Sequence, residues 1–154
     1  MVKTVSSINE LRSLAETFLM ALSKKPKVDS ATLIGLSGDL GTGKTAFTKS
    51  VAALLNIDDT VTSPTFVLEK RYSIPQNTIL GTNFDKLIHV DAYRLHKGEE
   101  MRALDWEATL ADPRNLILLE WPEQVADALP SDMINLAFEY VDDGVRRVSG
   151  DYIK

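Results

Sequence analysis

Gly38-Asp39-Leu40-Gly41-Thr42-Gly43-Lys44-Thr45 matches G-x-x-x-x-G-K-[ST] at every fixed position. A loop of that composition curls so that successive backbone N–H groups point inward at a phosphate chain. Glycines accept positive φ and allow the close backbone approach that a Cβ would block. Lys44 supplies a point charge for the β- and γ-phosphates, and the Thr45 hydroxyl can ligate Mg²⁺. An ordinary glycine-rich turn needs neither the Lys-Thr pair nor a strand and helix on either side, and this loop has both. The sequence reads as that of a nucleoside-triphosphate binder.

Such a loop grips phosphate but does not hydrolyse it unaided. Phosphoryl transfer also needs a metal-facing carboxylate and a group that orients the attacking water. Asp91 and Glu120 are the candidates, because each ends an apolar strand, where open α/β sheets bind ligands. Either acid can serve as metal ligand with the other polarising water, and the sequence does not say which. Asp39, inside the loop, either orients a water or pairs with a lysine. Thr62-Ser63-Pro64-Thr65 stands where a nucleotide-sensing switch would lie, yet reads equally as a polar turn. His89 and Asp91, two apart on a strand, share a face. Zinc there is disfavoured, since His96 is the one other histidine and cysteine is absent. Arg94 is either a charge stabiliser or an ion-pair partner. Trp106 and Trp121 read as packing residues rather than nucleotide stackers.

The elements that must position these groups follow from periodicity. Ser7-Ile8-Asn9-Glu10 has the form of a capping box before Leu11, Leu14, Phe18 and Leu22, which predicts a helix over about 8–24. Residues 31–37 form a buried strand entering the loop, and 45–56 an amphipathic helix leaving it, its positive end toward the phosphates. A strand is predicted over 66–74, a loop to 84, and a short strand at 87–90. Gly98 to Leu110 reads as one helix with Met101, Leu104, Ala108 and Leu110 inward, broken at Asp112-Pro113. Leu116-Ile117-Leu118-Leu119 is the most apolar run and reads as a central strand. A short helix at about 123–129 precedes two strands, 133–141 and 145–151, joined across Asp142-Asp143-Gly144. The expected fold is α/β, P-loop NTPase-like, with three layers and a mixed parallel and antiparallel central sheet.

The chain has 154 residues and no cysteine, with a formal net charge of −5. That length suits one domain over 1–154. The missing thiols exclude disulfides and Cys-based metal sites. The acidic balance argues against an independent grip on a nucleic-acid backbone. No hydrophobic signal core or bilayer-length apolar run is present, so a cytoplasmic location and no membrane are expected. A small-molecule kinase or a nucleotide-gated binding module without turnover are the rival readings. A kinase would need an acceptor pocket and usually an Arg-rich lid, and no such insert is seen. Lys44, Thr45, Asp91 and Glu120 together disfavour pure binding. A GTPase is disfavoured by the lack of an Asn-Lys-x-Asp block.

In series, the loop at 38–45, Ser63-Pro64-Thr65-Phe66, His89-Val90-Asp91-Ala92-Tyr93-Arg94-Leu95 and Glu120-Trp121-Pro122 resemble the bacterial TsaE (YjeE) family. The likeness implies a weak, partner-stimulated ATPase using ATP and Mg²⁺. It would serve the machinery that makes N6-threonylcarbamoyladenosine at position 37 of tRNA. TsaB and TsaD type proteins would be its partners, with tRNA met through that complex. It also implies roles: Gly38, Asp39, Leu40, Gly41, Thr42, Gly43 and Lys44 on phosphate, Thr45 and Glu120 on Mg²⁺, and Asp91 as the other acid near the metal. Thr65 becomes a nucleotide-sensing candidate and Trp121 a functional one. Ala46 follows Thr45 where many relatives have a second hydroxyl, and Asp105 stands where relatives often have glycine. The base pocket of relatives draws on the N-terminal segment and C-terminal hairpin, which points to Ser7 and Arg147.

Overall fold

The fold is that of a computed structural model describing residues 2–153 except 27, 59–60, 62–67, 77, 79 and 81–82. In chain order the elements are β1 (Val2–Val5), α1 (Ile8–Ser23), β2 (Thr32–Ser37), α2 (Lys44–Leu54), β3 (Glu69–Ser73) and β4 (Lys86–Asp91). A 3₁₀ segment (Gly98–Leu104), α3 (Trp106–Ala111), β5 (Asn115–Glu120), a second 3₁₀ segment (Pro122–Ala128), β6 (Ile134–Asp142) and β7 (Val145–Gly150) follow. The strands form one sheet in the order β1-β7-β6-β2-β5-β4-β3. Its centre, β6-β2-β5-β4, is parallel, while β7, β1 and β3 are added antiparallel. The mixed sheet between two covering layers is the expected three-layer α/β architecture.

Alternation along the central strands explains both layers. Leu116 and Leu118 of β5 join the core under α1 and α2, with Phe18, Phe47 and Val51. Ile117 and Leu119 point the other way, into a core with Met101, Trp106 and Val125. Buried on both faces, β5 must be apolar throughout, which is why it reads as an unbroken run. The Phe47 ring meets Phe18 edge-on at 5.8 Å and Phe138 at 5.5 Å, tying α2 to α1 and to β6. The capping box forms at α1: Ser7 Oγ accepts the Glu10 N–H at 3.1 Å, and Glu10 in turn accepts the Ser6 N–H at 2.7 Å.

Three expectations are corrected. Val2–Val5, for which no element was expected, is an edge strand on β7, with Thr4 opposite Arg147. Antiparallel pairing at the sheet edge, rather than any pattern within four residues, makes it a strand. The single helix over 98–110 divides into a 3₁₀ segment and α3 at Asp105, whose φ is 53°. Restarting at Trp106 rotates the inward face, so Trp106 and Thr109 are buried while Ala108 is exposed. The Trp106 indole N–H donates to the Ala128 carbonyl at 2.9 Å, and a Cβ on Gly98 would lie 2.6 Å from that of Ala128. These two contacts draw the segment onto its neighbour more tightly than a continuous α-helix would allow. The helix expected at 123–129 is likewise 3₁₀, with a non-helical Val125. Of the strand expected over 66–74, residues 69–73 are β3; 66–67 lie outside the described residues.

Asp105 thus occupies the left-handed region at a place where the family resemblance suggests glycine. Replacing it by a β-branched residue meets the Cβ clash directly. Asp105→Val should lose about 1–2 kcal/mol in urea unfolding, whereas Asp105→Gly should stay within about 0.5 kcal/mol. A valine variant as stable as the parent would contradict this backbone geometry.

Candidate nucleotide site

β2 ends at Ser37, and the six residues to Gly43 carry the chain into α2. Gly38, Gly41 and Gly43 have φ of 145°, 77° and 106°. At Gly38 space also matters, because a Cβ would collide with the Phe138 carbonyl and come within 2.8 Å of Thr42 Oγ1. The loop is closed by Thr42 Oγ1 donating to the Asp39 carbonyl at 2.7 Å. It is braced from the β6–β7 hairpin by Arg146, whose Nε donates to the Gly41 carbonyl at 3.2 Å. The Arg146 guanidinium lies 4.8 Å from the Tyr140 ring centroid, and its NH1 donates to the Asp142 and Val145 carbonyls.

The two acids arrive by strand register. Asp91 and Glu120 are paired across β4 and β5 on one rung. Their positions along each strand place them on the α2 side: Leu87, His89 and Asp91 alternate together, as do Leu116, Leu118 and Glu120. Both carboxylates are buried. Glu120 faces the start of α2, with Thr45 Oγ1 at 3.5 Å from Oε1 and 3.3 Å from Oε2. Behind it, His89 Nε2 is 2.6 Å from Oε2. Asp91 Oδ1 accepts the Tyr93 N–H at 2.9 Å.

Lys44 is buried between these groups. Its ammonium donates to the Gly38 carbonyl and lies 3.8 Å from the Trp121 ring centroid. Burial holds its pKa below the ordinary lysine value, opposed by the nearby charges of Glu120, Glu123, Asp91 and Asp39. Trp121 itself takes φ 61°, with Tyr93 at 5.0 Å between ring centroids. The resulting cleft, about 240 Å³, is lined by Leu40, Gly41, Gly43, Lys44 and Thr45 on one side and Asp91, Tyr93, Glu120 and Trp121 on the other.

The structure therefore gathers Leu40, Gly41, Gly43, Lys44, Thr45, Asp91, Glu120 and Trp121 around one space. Gly38, Asp39 and Thr42 line an adjoining groove together with Arg147, which also reaches Glu139 at 3.4 Å. Ala46 is half-buried and packs on the α1/α2 core. The Ser7 hydroxyl is engaged in capping α1, and Ser7 does not line the cleft. Thr65, with Ser63, Pro64 and Phe66, lies outside the described residues. Trp106 is a packing residue, whereas Trp121 belongs to the cleft.

Two residues take parts that the sequence does not reveal. The His89–Asp91 pair, considered for zinc, instead has His89 Nε2 turned to Glu120. The shared parity of His89 and Asp91, with an acid ending the next apolar strand, is the available signal. Arg146 rather than Arg147 meets the loop; alternation along β7 puts the two arginines on opposite faces but does not say which one reaches it.

A hydroxyl and two carboxylates are hard oxygen donors of the kind Mg²⁺ takes, and they fit that ion. Among the described residues no group of three or more His, Cys, Asp or Glu could hold a metal ion.

The family described as "Threonylcarbamoyl adenosine biosynthesis protein TsaE" matches over residues 5–148. A Streptomyces coelicolor protein named tRNA threonylcarbamoyladenosine biosynthesis protein TsaE is 39% identical over 108 residues, covering 70% of this chain and 68% of its own length. A Rickettsia bellii protein of the same name is 34% identical over 143 residues, covering 92% and 88%. In fold, the crystal structure of YdiB from Bacillus subtilis matches with a TM-score of 0.71 at 23% identity, over 97% of this chain and 83% of that one. The family match takes in the phosphate loop, both strand-end acids and most of the β6–β7 hairpin, and the chain belongs to the TsaE family.

Proposed function

We propose that this protein is a Mg²⁺-dependent ATP-binding and hydrolysing subunit of the assembly that forms N6-threonylcarbamoyladenosine on tRNA. The observation that carries the reading is the approach of Thr45 to Glu120, 3.3 Å apart at the mouth of a phosphate-binding loop. TsaB and TsaD type proteins are the partners the family points to, and tRNA is met through them. An acidic chain, net charge −5, suits a subunit that works on protein partners.

The residues divide the work. Backbone N–H groups of the loop and of the first turn of α2 bind the β- and γ-phosphates. Lys44 leaves the Gly38 carbonyl for a phosphate oxygen, an acceptor of full negative charge. Thr45 and Glu120 hold Mg²⁺, with Asp91 as the neighbouring acid. When bound, the ion would neutralise negative charge on the phosphates. Asp91, the acid left outside that pair, would orient the attacking water. Water oxygen bonds to the γ-phosphorus as the bond to the β,γ-bridging oxygen breaks, leaving ADP and phosphate. Trp121 and Tyr93 shield one wall of the cleft from solvent. Slow turnover alone and faster turnover with a partner are part of this reading.

Two outcomes follow. Lys44→Ala removes charge-assisted hydrogen bonds of about 1.5–3 kcal/mol, so calorimetry should show ATP affinity falling about 10- to 100-fold. Glu120→Gln should bind ATP in EDTA within a few-fold of the parent, lose about tenfold or more of the affinity gained on adding Mg²⁺, and hydrolyse ATP at least about 100-fold more slowly in the presence of TsaB and TsaD. Unchanged turnover in that variant would reject the site. Fast hydrolysis or phosphoryl transfer by the chain alone, indifferent to those partners, would reject the functional reading.

A further inference from the structure

His89 lies in the middle of β4, wholly buried, with Leu118 beside it on β5 and Leu87 on its own face. An imidazole in an aliphatic layer gives up its hydrogen bonds to water, and a leucine would fill the same space without that cost. Its polar chemistry is one-sided. Nε2 meets Glu120 Oε2 at 2.6 Å, while Nδ1 has no hydrogen-bond partner among the described residues. A carboxylate only accepts, so the ring donates from Nε2, and that partner assigns the tautomer. Thr45 Oγ1 approaches the same carboxylate, 3.3 Å from that Oε2 and 3.5 Å from Oε1, so the ring holds the group that faces Thr45.

We propose that His89 is a positioning residue that fixes the Glu120 carboxylate, through an Nε2–H donated to Oε2, in the orientation needed to face Thr45 and a bound divalent cation. The proposal rests on reading the cleft as a Mg²⁺–nucleotide site. The terminal torsion of a glutamate is broad, and Mg²⁺ demands near-octahedral placement of its ligands. A single buried donor behind the carboxylate removes that freedom. Groups that hydrogen-bond to metal ligands typically alter metal affinity about 10- to 100-fold when removed. The β4–β5 register makes the contact possible: with Asp91 opposite Glu120, the residue two back on β4 lies diagonally behind the carboxylate on the same face.

The test compares the parent with His89→Leu, which fills the space without a donor, and His89→Gln, which keeps a donor near the Nε2 position. ADP binding is measured by calorimetry in EDTA and again in Mg²⁺. The phosphate loop alone should bind ADP in EDTA about equally in all three. The gain in affinity on adding Mg²⁺ should fall about tenfold or more in His89→Leu and return at least in part in His89→Gln. A purely packing role would lower stability without separating the two conditions. Equal Mg²⁺ gains in folded His89→Leu and parent would overturn the proposal while leaving the site intact. Absence of ADP binding by the parent would overturn the site reading and the proposal with it. Should His89→Leu fail to fold, long-range ¹H–¹⁵N correlation of the parent ring decides. A proton on Nε2, with ring shifts that move in Glu120→Gln, is expected; a proton on Nδ1 alone contradicts the assignment.

Discussion

The parallel register of β2, β5 and β4 is the constraint on which the rest depends. Pairing Asp91 with Glu120, and Leu36 with Glu120 across the next interface, brings three strand ends to one edge of the sheet. From that edge the phosphate loop leaves β2 and turns into α2. A slip of one residue in β5 would turn Glu120 to the opposite face and place Leu119 beneath Thr45. Such a slip would carry the Glu120 carboxylate into the apolar core with Met101, Trp106 and Val125, where an unpaired charge is costly.

Burying Lys44, Asp91 and Glu120 together is costly unless each charge is met by another or by hydrogen bonds. Here the Lys44 ammonium has the Gly38 carbonyl and the Trp121 face; Glu120 has Thr45 and His89; Asp91 has the Tyr93 N–H. Most of these contacts are made by groups that a phosphate and a cation would also engage. On the proposed function, ligand binding would replace internal partners with stronger ones rather than open a closed site. The hairpin contributes from the far side. Arg146 holds the Gly41 carbonyl, and β6 approaches Gly38 so closely that no other residue fits there.

Local signals carried the phosphate loop, because its glycines, lysine and threonine are contiguous. They also carried β5, whose burial on both faces leaves an unbroken apolar run, and α1, whose Ser7–Glu10 cap is readable in four residues. Asp91 and Glu120 could be named as strand-end acids without knowing that they share a rung. What escaped depended on partners distant in sequence. Val2–Val5 becomes a strand only because β7 offers an edge. The break at Asp105 reflects packing of Gly98 and Trp106 on Ala128, some 20 or 30 residues on. The contacts of His89 and Arg146 reach across 31 and 105 residues, beyond any local periodicity.

The cleft between Thr45 and Glu120 is proposed as a Mg²⁺–nucleotide site, and a crystal structure of the chain with Mg²⁺ and a non-hydrolysable ATP analogue would decide it. The β- and γ-phosphates should be seated on the 38–45 loop, with Lys44 moved from the Gly38 carbonyl onto a phosphate oxygen and the cation between Thr45 and Glu120. A nucleotide bound elsewhere, or Lys44 still over Trp121 with the cation remote from Glu120, would contradict it.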